Sequence, residues 1–201
     1  MGSCNRPMKF LPQDFYARDT GLVARELLGK ILVRGINGEV ARCRIVETEA
    51  YFGEGDPASH AARGRTKRNA VMFGPPGRAY VYFNYGVHHL LNVVSEAEGT
   101  AGAVLIRAVE PLAGQSLLLV NRPVANILQL TSGPGKLTQA LAIDLKHNGR
   151  SLSDVELGII DSDTDGFKIV SARRIGISAG KDKAWRFYLD DNGFVSRRET
   201  K

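Results

Sequence analysis

A chain of 201 residues, 43% hydrophobic and 24% charged, is long enough to bury a core and short enough for one domain, and its composition excludes disordered and fibrous classes. Lys and Arg outnumber Asp and Glu by 27 to 21, a formal charge of +6 that suits a polyanionic partner, either nucleic acid or an anionic membrane surface. Cys4 and Cys43 form no disulfide framework, and neither a run of about 18 apolar residues nor a signal-peptide centre over residues 1–8 is present, so a cytoplasmic protein with no membrane partner is expected.

In chain order, residues 1–12 read as a loose tail ahead of a single domain that takes up the rest of 1–201. Residues 19–30 predict a helix capped by Asp19 or Thr20, with Leu22, Val23, Leu27 and Leu28 inward and Gly29 near its end. Strands at 31–34 and 40–48 follow, joined through Asn37-Gly38, whose residue types accept the positive backbone angles of a tight turn. Further strands are expected at 79–83, 90–95 and 103–109, rich in β-branched and aromatic residues. Helices are expected at 111–120 and 136–142, then strands at 158–161, 167–172, 174–178 and 186–189. Hairpin-like spacings dominate, with no internal repeat, so the fold class is α+β: one compact domain with a curved, mostly antiparallel sheet and peripheral helices.

Period-two alternation along strand 40–48 and just beyond it puts Ala41, Cys43, Ile45, Glu47 and Glu49 on one face, which begins apolar and ends in two carboxylates. A carboxylate held there on a rigid element can take a proton from water and offset positive charge growing on a sugar. It can equally serve in a structural ion pair with Arg42, Arg44 or Arg107. Arg107 interrupts an otherwise aliphatic strand, and a buried guanidinium needs a carboxylate or phosphate, so Glu47 or Glu49 is its natural partner.

Tyr80, Tyr82, Phe83 and Tyr85 fall within six residues, and Tyr51 lies two beyond Glu49. Such rings can be core, or they can stack on a base and hydrogen-bond its edge. Phe83-Asn84-Tyr85-Gly86 reads as a turn with Tyr85 at its tip, either capping a hairpin or wedging into a base stack. The run from His60 to Asn69 carries Arg63 and Arg65 and is either a solvated loop or a grip on phosphates. Ser132-Gly133-Pro134-Gly135-Lys136-Leu137 presents backbone N–H groups and the Lys136 ammonium to a phosphate, but it lacks P-loop spacing and gives no support to nucleotide hydrolysis. His60, His88, His89 and His147 include no pair at metal-ligand spacing, and no metal is expected.

Several of these motifs, taken in order, resemble the alkyladenine (3-methyladenine) DNA glycosylase family: Arg44-Ile45-Val46-Glu47-Thr48-Glu49-Ala50-Tyr51, then His60, then Tyr80-Val81-Tyr82-Phe83-Asn84-Tyr85-Gly86. The likeness continues through Asn92, Arg107-Ala108-Val109-Glu110-Pro111, Ser132 to Leu137, and residues 173–177. It implies a compact fold and a reaction without metal or cofactor. The resemblance makes Glu49 the carboxylate that activates water and Arg107 its helper, with the backbone around Ile175 completing the water site. Tyr51, His60 and Tyr82 would hold the flipped base, Asn92 would oppose the exocyclic amine of guanine, and Tyr85 would intercalate. The chain departs from the family pattern at Val87-His88, where a further aromatic is expected, and at Asn84, which replaces an apolar residue; both bear on substrate range and on the grip on the opposite strand.

The expectation is therefore a monomeric, monofunctional glycosylase of base excision repair. Its partner is double-stranded DNA containing damaged purines: 3-methyladenine, 7-methylguanine, hypoxanthine or ethenoadenine. No lysine or amino-terminal nucleophile is placed for strand cleavage. A protein that binds lesions without excising them would not need Glu49, and a hydrolase of free nucleosides would not need Tyr85 or the basic loop.

Overall fold

The computed structural model describes residues 8–84, 86–164 and 166–198. Its centre is an eight-stranded antiparallel sheet that curls into a half-barrel. The strands are β1 (Ile31–Ile36), β2 (Glu39–Phe52), β3 (Ala79–Asn84), β4 (His88–Val94), β5 (Gly102–Ala113), β6 (Leu157–Ile160), β7 (Ile169–Ala172) and β8 (Arg186–Leu189). They run in the order β3-β4-β5-β2-β1-β6, with β8 joining β2 and β7 pairing β8. Four short α-helices lie around the sheet: α1 (Gln13–Tyr16), α2 (Thr20–Glu26), α3 (Gln115–Asn121) and α4 (Pro134–Ala140).

The expected α+β class holds, and the hairpin forms where Asn37 (φ +51°) and Gly38 (φ +83°) permit a tight turn. Helix α2 begins as predicted, with the Asp19 side chain accepting from Leu22 N–H at 2.9 Å. It is shorter than 19–30, and Leu22 is 42% exposed rather than inward; the buried stripe is Thr20, Val23, Ala24 and Leu27, one helical face. That face lies on β2, where Thr48 Oγ1 donates to the Ala24 carbonyl at 2.7 Å.

Two expected elements are corrected. The helix at 111–120 is split, because Pro111 to Ala113 still pair in β5 and α3 begins only after Gly114 (φ +74°). A side chain at Gly114 would both strain that angle and stand 2.8 Å from Ala41 Cα, so glycine is what lets the chain reverse against β2. The strand at 174–178 is instead an irregular loop: Ile175 N–H is taken by the Glu49 side chain, and no backbone ladder forms. The tail expected over 1–12 enters the description only at residue 8. Leu11 N–H bonds to Ile159 and Asp161 N–H to Lys9, so residues 9–11 run along β6.

β2 organises the site. Its first half pairs with β1 and Glu47 to Glu49 pair with β8, while β5 lines the other edge from Arg42 to Phe52. Register shifts between Ile45, Glu47 and Thr48 mark bulges, which add twist and re-aim side chains. Residues 45–50 are buried without interruption. Among the described residues no helix is long and apolar enough to cross a membrane.

Candidate active site

The bulged stretch of β2 places Glu47 and Glu49 on either side of Arg107, which β5 supplies. Arg107 Nε donates to Glu47 Oε1 at 3.0 Å and its Nη1 lies 3.2 Å from Glu49 Oε2. Both carboxylates have no exposed surface, and both pairings expected for Arg107 occur together. Glu47 accepts also from Arg186 Nη1 at 3.0 Å and from Ser196 N–H at 2.7 Å, and neither of these donors lines the cavity described below.

Glu49 differs in its surroundings. Its Oε1 accepts from Ile175 N–H at 2.7 Å, and its Oε2 accepts from the Tyr51 hydroxyl at 2.8 Å as well as facing Arg107. A carboxylate offers about four acceptor positions, so one remains. Burial raises the Glu49 pKa against the opposing pull of Arg107, Ile175 N–H and Tyr51. Burial and Glu49 itself push the Tyr51 phenol upward, which keeps Tyr51 a donor. For Arg107, burial works to lower the pKa, but Glu49 and Glu47 overcome it and the guanidinium stays charged.

Ile175 is held in reach by its neighbour Arg174, a feature the sequence did not reveal. Arg174 makes two 2.7 Å bonds to Asp56, with both side chains wholly buried, and its Nη1 donates to the Ala50 carbonyl at 3.0 Å. Its guanidinium lies between the rings of Tyr51, 4.7 Å away, and Trp185, 4.9 Å away. Asp56 sits in a Gly-and-Pro loop with no periodicity, so only the closed fold could reveal the pair. The sole available signal was that residues 173–177 belong to the matched motifs.

Opposite this cluster stands an aromatic wall. Alternation along β3 turns Tyr80 and Tyr82 to one face, and the loop after β2 brings His60 against them. The His60 ring packs edgewise on Tyr82 at 4.5 Å, and its Nδ1 lies 2.9 Å from the Tyr80 hydroxyl. Burial pushes the Tyr80 phenol up to about 12, while burial and nearby Arg68 lower the His60 pKa. When the Tyr80 hydroxyl donates to Nδ1, a neutral imidazole carries its proton on Nε2 and has Nε2–H as a donor; when Tyr80 accepts, Nε2 is the acceptor. Tyr80 was visible in sequence as one of the clustered rings but not as the hydrogen-bond partner of His60. Asn69 fixes the loop by donating from Nδ2 to the His60 and Gly64 carbonyls. Asn92, on β4, is buried and donates to the Tyr80 carbonyl at 3.0 Å.

These walls enclose a cavity of about 600 Å³. Tyr51, His60, Tyr82, Asn92, Arg107 and Lys136 all line it, as does Ile175. Glu49 stands directly behind the lining, and its three partners are lining residues. Arg63 and Arg65 are exposed and lie outside the cavity wall. Tyr85 lies outside the described residues. Gly135, at the start of α4, packs against His88: a Cβ there would stand 2.6 Å from His88 Cγ. Among the described residues no group of three or more His, Cys, Asp or Glu is disposed to hold a metal.

A family model described as methylpurine-DNA glycosylase matches residues 14–193. A protein of Carboxydothermus hydrogenoformans is 53% identical over 190 residues, covering 94% of this chain and 99% of its own. One from Prosthecochloris aestuarii is 51% identical, covering 92% and 90%, and one from Methanoculleus marisnigri is 49% identical, covering 94% and 99%. All three are provisionally named 3-methyladenine DNA glycosylase. Matched from end to end of its folded body by family and relatives alike, the chain belongs to the methylpurine-DNA glycosylase family, DNA-repair hydrolases that cleave N-glycosidic bonds.

Proposed function

We propose that this enzyme flips alkylated or deaminated purines out of duplex DNA and hydrolyses the bond to the sugar with a water activated by Glu49. The observation that carries this reading is the state of Glu49: buried, held by three donors that line the cavity, and left with one acceptor position. Water on that position gives its proton to Glu49 as its oxygen bonds to the anomeric carbon. The C–N bond breaks with its electron pair going to the base. A pKa raised by burial makes Glu49 a better proton acceptor near neutral pH, and the nearby negative charge offsets the oxocarbenium character of the sugar.

The cavity falls within the range of small-ligand pockets, about 300–1,000 Å³, and has room for a purine. In this reading Tyr51, His60 and Tyr82 take the faces and edge of the base, with His60 donating through Nε2–H. Asn92 opposes the exocyclic amine of guanine, and Tyr85 fills the gap in the stack. Lys136, Arg63 and Arg65 contact backbone phosphates. An alkylated purine leaves readily because it departs neutral; hypoxanthine, already neutral, needs more proton assistance and reacts more slowly. The product is an abasic site, and the enzyme acts as a cytoplasmic monomer without metal or cofactor.

Single-turnover excision from duplexes carrying hypoxanthine or ethenoadenine opposite thymine, with alkylated DNA in parallel, tests the reading. Glu49→Gln is expected to lose about 10²- to 10⁴-fold in rate while keeping its affinity for lesion DNA. A variant that excises within a few-fold of wild type would remove Glu49 from the reaction.

A further inference from the structure

Across the 175–177 loop from the cavity lies a second groove of about 330 Å³. Ile175, Gly176 and Ile177 line both, so the loop whose N–H holds Glu49 is a partition between them. Arg173, Lys181, Arg197 and Arg198 line the groove, and all four are exposed. Arg198 has Asp191 at 3.4 Å, whereas Arg173, Lys181 and Arg197 have no ion pair among the described residues. The deeper arginines of the groove are already engaged, Arg174 by Asp56 and Arg186 by Glu47.

Four cations converging on one concavity repel each other, and an anion seated among them removes that cost. Two of the unpaired cations are guanidinium forks, whose geometry matches two oxygens of one phosphate. Gly176, at φ +76°, has nothing within 4 Å of where a Cβ would stand, so the top of the partition is clear for another backbone to approach. Lys136 lines the cavity and not the groove, so cations reach the cavity mouth from separate elements.

We propose that this groove is a phosphodiester-binding site that grips the DNA backbone next to the extruded nucleotide, on the outer face of the loop that positions Glu49. The proposal rests on the DNA-excision reading above. It adds Arg173, Lys181 and Arg197 to the DNA-binding surface and places that strand directly over the catalytic partition.

The test compares two charge-matched triple variants. Arg173→Gln/Lys181→Gln/Arg197→Gln empties the groove of unpaired charge. Lys9→Gln/Arg25→Gln/Arg42→Gln removes the same charge from exposed residues that line neither the cavity nor the groove. Affinity for a duplex containing one tetrahydrofuran abasic site is measured by fluorescence anisotropy across a salt series. Each lost phosphate contact lowers the slope of log K against log salt by about 0.9, so the groove triple is expected to lose roughly 2–3 in slope and the control triple less than about 1. Each single groove substitution should lose close to about 0.9, which keeps the comparison decisive if the triple folds poorly.

Equal slopes for the two triples overturn the proposal. So does saturable binding of inorganic phosphate that the groove triple abolishes while the DNA slope stays at the wild-type value, because that marks a small-anion site. Excision by the wild type is followed alongside. Its absence would unseat the proposed function, and the slope comparison would still decide whether the groove binds DNA.

Discussion

Replacing Asp56 with Ala removes the carboxylate that holds Arg174, and the cost follows from the geometry. Two 2.7 Å charge-assisted bonds disappear between side chains that have no exposed surface, and the N–H groups of Phe52 and Ala58 lose their acceptor as well. Breaking a buried pair from one side strands the other charge, which costs about 3–5 kcal/mol, a large share of the 5–15 kcal/mol that stabilises a typical domain. For a chain of this length that corresponds to roughly 6–20 °C in Tm. Thermal and urea unfolding give the stability, and single-turnover excision at 25 °C gives the effect on the site. Excision should fall at least about tenfold with lesion binding retained, because Ile175 N–H then drifts from Glu49. Adding Arg174→Met to the Ala variant removes the stranded charge and should recover part of the lost stability. A Tm within 2 °C of wild type for Asp56→Ala, or a double variant no more stable than the single, would refute the reasoning that the pair acts as a buried latch.

Glu49 carries a stability cost with a defined pH dependence. Its folded pKa lies above the ordinary carboxyl value, so its contribution is fully present below that value and is lost as pH rises through the folded pKa. Relative to wild type, Glu49→Gln should therefore gain stability as pH rises from the carboxyl range towards neutrality, and urea-unfolding curves that stay parallel across pH 4–8 would contradict this. Gly135→Ala should drive the His88 ring out of the cavity wall, since the new methyl would stand 2.6 Å from His88 Cγ. Because helix propensity gains and the clash costs similar amounts, global stability should shift by less than about 1 kcal/mol while binding of lesion DNA weakens. In a His88→Gly background, which removes the Cβ 2.9 Å from the new methyl as well as the ring, the same substitution should do nothing further, and equal losses in both backgrounds would show that His88 is not the neighbour that matters.

The local grammar of this chain is legible because it depends on neighbours in sequence. Asn37-Gly38 allows its own turn angles, and Asp19 caps the helix that follows it. The alternation that brings Glu47 and Glu49 to one face, and the demand of a buried Arg107 for a carboxylate, follow from strand geometry and the cost of an unpaired charge. Where short-range rules compete, they mislead: Pro111 reads as a helix start, yet the ladder with β2 carries β5 on to Ala113 before Gly114 breaks it.

The tertiary structure alone decided the remainder of the site. Ile175 N–H meets Glu49 from 126 residues away, and Arg174 meets Asp56 from 118. Both lie on loops, where no hydrophobic period reports which way a group faces. That the Tyr80 hydroxyl comes within hydrogen-bond reach of His60, and that three donors meet on Glu49, depends on displacements of an ångström or less, and these are settled only when the half-barrel closes.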